Sequence, residues 1–290
     1  MMLYDLFLGP FVEFSFMRLA LVGCFALALG CAPIGLFLVL RRMSLVGDAM
    51  SHAILPGAAI AFIAYGLSLT ALSIGGLVAG LAVVLLSGLV TRLTQQKEDA
   101  SFAAFYLLSL ASGVLIVSKW GSNVDLMHIL FGTVLAVDPP ALLLVAGIAT
   151  VTLLGLALFY RPLVVESFDS EFLRVTSGGG ALAHFVFLVL VVLNLVAGFQ
   201  ALGTLMAVGL MMLPATSARM WAQSLPALMA VAIGFALAAG YLGLLISYYA
   251  NLPSGPSIIL MAGIGYLASL VFGRHGGLLW RVLKLKHLEG

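Results

Sequence analysis

Charge is scarce in this chain. Only 8% of its 290 residues are Asp, Glu, Lys or Arg, where a soluble domain carries about 25%. That scarcity excludes a water-exposed globular surface, and the formal net charge of +2 excludes a nucleic-acid partner. Cysteine is nearly absent. Cys24 and Cys31 lie in one apolar run, about 10.5 Å apart along a helix and beyond disulfide reach. They read as small packing residues and say nothing of redox compartment. The P-loop pattern GxxxxGK[ST] is missing, so the chain does not bind ATP by that device. Neither HExxH nor GxSxG occurs, which leaves little support for intramembrane proteolysis. The start, MMLYDLFLGPFVEF, has no basic n-region and no small-residue cleavage site after it, so it does not read as a cleaved signal.

What is present is apolar. Hydrophobic residues make up 63% of the chain and the mean hydropathy is +1.22. Long unbroken runs exclude a β-barrel, whose strands alternate. The expected class is all-α, a polytopic transmembrane bundle of eight to nine spans in a single domain over 1–290. A span needs about 20 apolar residues. The runs fall at 16–40, 46–65, 69–93, 100–118, 141–160, 181–199, 203–220, 225–249 and 257–272. The segment 125–137 is too short to cross and reads as re-entrant. With the Arg41/Arg42 turn in the cytoplasm, the basic loops at Arg92/Lys97, Arg161/Arg174 and Arg219 fall on the same side. So does the tail 274–290, leaving only Lys119 outside. The N-terminus is then external.

One stretch carries unusual chemistry: RRMSLVGDAMSHAILPGAAIAF, 41–62. Asp48 and His52 are four residues apart, on one helix face, inside a span where ionisable groups are expensive. Pro56 has no N–H, so the His52 carbonyl loses its helical partner. A carboxylate, an imidazole and a carbonyl suit a divalent cation such as Zn²⁺ or Mn²⁺. The same pair also suits a structural hydrogen bond or a proton relay. Gly47, Ala49, Ser51, Ala53, Gly57 and Ala58 let a second helix approach.

A second pair, Asp125 and His128, is placed near the outer face as a secondary metal entry, with Asp125 more simply a helix cap. His184 and Asn194 read as interhelical hydrogen-bond partners, and His275 and His287 as solvated. The cytoplasmic segment 161–180 mixes acids with Phe168, Phe172 and Leu173 and ends in glycines. It reads as a short amphipathic helix with a glycine stop, docking on a protein partner.

The stretch LVLRRMSLVGDAMSHAILPGAAIAF resembles the signature of the membrane permeases of manganese, zinc and iron ABC importers. NVDLMHILFG, ESFDSEFLRVTSGG, GTLMAVGLMMLPATSARM and SYYANLPSGPSIIL extend the resemblance along most of the chain. ASFAAFY, after Glu98-Asp99, departs from the family's small, glycine-containing run, which touches local packing only. The resemblance implies an all-helical fold similar to vitamin B12 and siderophore permeases, in the bacterial cytoplasmic membrane. It implies a second permease copy or paralogue, two cytoplasmic ATPase subunits, and an extracytoplasmic binding protein that delivers the metal. The chain is then a transport subunit and not an enzyme, with no permanently bound cofactor and with Zn²⁺ or Mn²⁺ as transported substrate.

Carried onto this chain, Asp48 and His52 take the family's transient metal-ligand positions. Phe168, Asp169, Glu171, Phe172, Arg174 and Gly178 take the ATPase-coupling positions. Two copies would supply two carboxylates and two imidazoles. Imidazole tilts the expected metal to zinc, then manganese, then iron. The competing readings are a proton-coupled secondary transporter and an ABC permease for a metal chelate.

Overall fold

The computed structural model describes residues 2–66, 68–96, 98–120, 138–168, 180–201 and 203–280, and every statement about structure concerns these. They form helices throughout. In chain order these are α1 (Met2–Phe7), α2 (Gly9–Glu13), α3 (Ser15–Leu40), α4 (Ser44–Ala53), α5 (Leu55–Tyr65), α6 (Leu69–Leu93) and α7 (Glu98–Trp120). Then follow α8 (Pro139–Leu158), α9 (Tyr160–Phe168), α10 (Gly180–Ala201), α11 (Thr204–Ala218), α12 (Leu225–Ala250) and α13 (Ser254–Phe272).

Helix α3 is the axis of the bundle. It touches α4, α8, α10, α11 and α12, and from Gly30 to Val39 every residue is buried. The outer helices α6, α7, α8 and α13 instead expose Leu, Ile and Val, as helices bathed in lipid do. The short α1 and α2 fold back on α12. There the Tyr241 and Tyr249 hydroxyls donate to the Phe7 and Leu6 carbonyls, each at 2.8 Å, and Phe11 stacks on Tyr241.

Eight segments are long and apolar enough to cross a membrane, one fewer than the nine runs of the sequence. The difference lies at 203–220, which forms only the 15-residue α11. Gly203 enters with φ +93°, and the helix ends at Ala218 before Arg219. At about 1.5 Å per residue it spans about 22 Å. It packs among α3, α10, α12 and α13, which bury its middle. A second difference is in the run 46–65, which is not one helix. It breaks at Ile54 into α4 and α5.

Candidate functional site

The entry to α4 is a tight reversal. The Met43 N–H donates to the Leu38 carbonyl at 2.9 Å and the Arg42 N–H to the Val39 carbonyl at 3.2 Å. This is a Schellman ending, and its left-handed position is Arg42, at φ +60°, where glycine is usual. The reversal drops α4 against α7, α10 and α11. Gly47 faces Met212 here, whose flexible end a Cβ would displace.

Val46, Gly47, Ala49, Met50, Ser51 and Ala53 face inward. The opposite stripe is Leu45, Asp48 and His52. Leu45 is 85% exposed, and the His52 and Asp48 side chains are 35% and 65% exposed. Asp48 Oδ1 lies 4.0 Å from His52 Nε2. Two ligand bonds of about 2.1 Å meeting at a tetrahedral angle put their donors about 3.4 Å apart, so the pair would close by about half an ångström to hold one divalent ion together. Among the described residues no group of three or more His, Cys, Asp or Glu side chains is placed to hold a metal. The described residues of one protomer therefore offer two donors here, where a closed tetrahedral site takes four.

The sequence predicts a freed carbonyl at His52 and an unbroken helix, and the structure differs on both. The His52 carbonyl is met by the Ile54 N–H instead of standing open. The next carbonyl, Ala53, accepts from the Ser109 hydroxyl of α7 at 2.9 Å. Beyond the break, α5 and α6 close on Gly57 and Gly75, whose carbonyls each occupy the place of the other's missing Cβ.

A polar cluster that sequence reasoning missed lies at the end of α3. Arg41, at the end of α3, reaches Glu166 Oε2 and the Ser167 hydroxyl of α9, each at 3.2 Å. It lies 3.3 Å from His184 Nδ1 of α10, and its guanidinium sits 4.3 Å over the Phe187 ring. The Arg41 and Glu166 side chains are only 4% and 10% exposed. A carboxylate at the start of the polar segment 161–180 was the available signal, but nothing local paired it with Arg41.

Asn194 behaves as expected. Buried in α10, it donates to the Thr152 hydroxyl of α8 at 2.7 Å and to its own Leu190 carbonyl at 2.8 Å, with Cys31 Sγ of α3 beside its oxygen. His184 likewise bridges helices. Cys24 and Cys31 are buried and free. His275 is exposed and pairs with Gln223. Phe168 closes α9 and is exposed. The remaining expected site residues, Asp125, His128, Asp169, Glu171, Phe172, Arg174 and Gly178, lie outside the described residues, as do Arg281, Lys284, Lys286 and His287.

The described helices thus form a multi-pass membrane bundle with an acid and an imidazole on one face of a broken span. The chain belongs to the ABC 3 transport family, whose model matches residues 13–273. It is 33% identical over 287 residues to the manganese transport system membrane protein MntC of Halalkalibacterium halodurans, covering 98% of this chain and 97% of that one. It is also 33% identical over 263 residues to the manganese import system permease protein ScaB of Streptococcus parasanguinis, covering 91% and 92%. Among solved structures it is similar to PsaBC from Streptococcus pneumoniae in complex with Fab. That match has a TM-score of 0.83 and 32% identity, over 97% of this chain and 98% of the other. The fold is thus that of an ABC importer permease, and the protein is a multi-pass protein of the cytoplasmic membrane.

Proposed function

We propose that the chain is the single-domain permease subunit of an ATP-driven importer of divalent transition-metal ions, with manganese ahead of zinc. The observation that carries this is the exposed Asp48–His52 pair. An acid and an imidazole on a membrane-spanning element do not face lipid, so this face is covered by a second permease or lines a hydrated path. Two copies about a two-fold axis would bring four donors to one ion. The carboxylates offset the cost of stripping the ion's water. So few ligands per subunit suit a site that releases its cargo.

The names of the relatives support manganese. The donor set supports zinc as the second reading, since imidazole favours it, and iron comes third. Two ATPase subunits would engage the segment 161–180 through Phe168, Asp169, Glu171, Phe172, Arg174 and Gly178, and an external binding protein would deliver the metal. Asp125 and His128 would be a secondary entry point. Membership of an ABC family weighs against a proton-coupled carrier. A chelate permease would not need Asp48 and His52 as direct ligands.

The test is uptake of radioactive manganese and zinc by the complete importer in proteoliposomes, with ATP hydrolysis measured alongside. Asp48→Ala and His52→Ala should each abolish uptake while the complex still assembles, and the preferred isotope names the metal. Unchanged uptake in both variants refutes a pathway role for the pair.

A further inference from the structure

Arg41 has an arrangement that stability alone does not require. Burying an arginine and a glutamate costs desolvation that an apolar pair avoids, so such a pair is weak evidence of a stabilising device. Here it is also placed with unusual economy. α9 leads into the polar segment and α10 leads out of it, and one guanidinium holds both. It bonds Glu166 and Ser167 on the entering side and lies beside His184 and Phe187 on the leaving side. The same residue ends α3, and the Schellman reversal carries its position directly into α4. Asp48 lies seven residues after it.

The cluster also has two hydrogen-bonding arrangements within reach. His184 Nδ1 lies 3.3 Å from Arg41 Nη1 and 3.4 Å from Glu166 Oε1. One ring nitrogen accepts from the arginine or donates to the carboxylate, and does not do both. Two discrete arrangements of a packed polar cluster are what a transmitting element needs.

From these contacts we infer that Arg41 is a positioning residue of transport: with Glu166, Ser167 and His184 it ties α9 and α10 to the Asp48–His52 helix. This rests on the ABC metal-importer reading above. The planar fork contributes beyond its charge, because lysine keeps the charge but holds fewer groups at once.

The complete importer in proteoliposomes supplies the test, read as manganese ions taken up per ATP hydrolysed. Glu166→Gln should lower that ratio by about tenfold, and Arg41→Lys by about threefold, as expected when charge-assisted bonds are lost. Manganese binding by the detergent-purified complex should change by less than about twofold in the same variants, because the ligands are untouched. A merely structural role lowers uptake and hydrolysis together, in step with the amount of assembled importer. An unchanged ratio therefore overturns the inference. Should Glu166→Gln fail to assemble, Arg41→Lys and Ser167→Ala keep the cluster's charge balance and are read in the same way. Failure of all three to assemble shows a scaffold and also overturns it. A parent importer with no ATP-driven manganese or zinc uptake refutes the function proposed above. A parent that transports beside variants with its own ratio refutes this inference alone.

Discussion

Gly30 gives Asn194 the room it needs. A Cβ on Gly30 would collide with Asn194 Oδ1 and approach the Ala149 backbone. Asn194 cannot simply swing away, because its amide holds Thr152 of α8 and the Leu190 carbonyl. Interhelical hydrogen bonds in membranes average about 0.6 kcal/mol, whereas forcing a methyl into a packed core costs about 1–3 kcal/mol. Gly30→Ala should therefore destabilise the purified permease by more than Asn194→Ala does. The double variant should recover part of the loss, measured as denaturant unfolding in mixed micelles. Equal cost of Gly30→Ala in both backgrounds would show that the two residues do not meet. Asn194 was legible because a lone amide in an apolar span must bond to something. The Arg41–Glu166 pair was not, because its partners are separated by the length of several helices in sequence. There Arg41 served only as a marker of the cytoplasmic side.

Helix pairs are set by where backbones meet without side chains between them. Gly57 of α5 and Gly75 of α6 do this, and since the atoms in the way are main-chain, no rotamer change relieves an added methyl. Gly57→Ala and Gly75→Ala should each cost about 1–3 kcal/mol or more. Gly88, also in α6 and with open space where its Cβ would be, is the control. Gly88→Ala should be neutral, or stabilising by up to about 1 kcal/mol through helix propensity. Equal effects at all three positions, in thermal unfolding of the purified chain, would contradict this packing. The small residues after His52 announced a close helix contact, though not which helix would make it. Pro56 announced a carbonyl without its helical partner. The break at Ile54 was not legible, because the Ser109 hydroxyl that takes up the Ala53 carbonyl arrives from α7.

Across the molecule, the spans were readable from hydropathy, while the short α11 was not. Its 15 residues are apolar enough to pass for part of a crossing, and only the structure shows the neighbours that bury its middle. The acid–imidazole pair was readable too, but not that Asp48 stays exposed and His52 half-buried within one protomer. That exposure carries a consequence for assembly. If a second copy meets this one about a two-fold axis, each residue near the axis faces its own counterpart. Leu45 is the exposed neighbour of the pair on the same stripe. The native cysteines are buried in α3 and should not react first. Leu45→Cys should therefore give a permease–permease dimer with a short bifunctional maleimide, in membranes containing the complete importer. The parent should give none. Added manganese should change the yield, because an ion drawn to Asp48 and His52 of both copies alters the gap between them. Failure of Leu45→Cys to cross-link, with ready labelling by a lipid-soluble maleimide, would place this face against lipid. It would leave the charge of Asp48 to be accounted for within a single protomer.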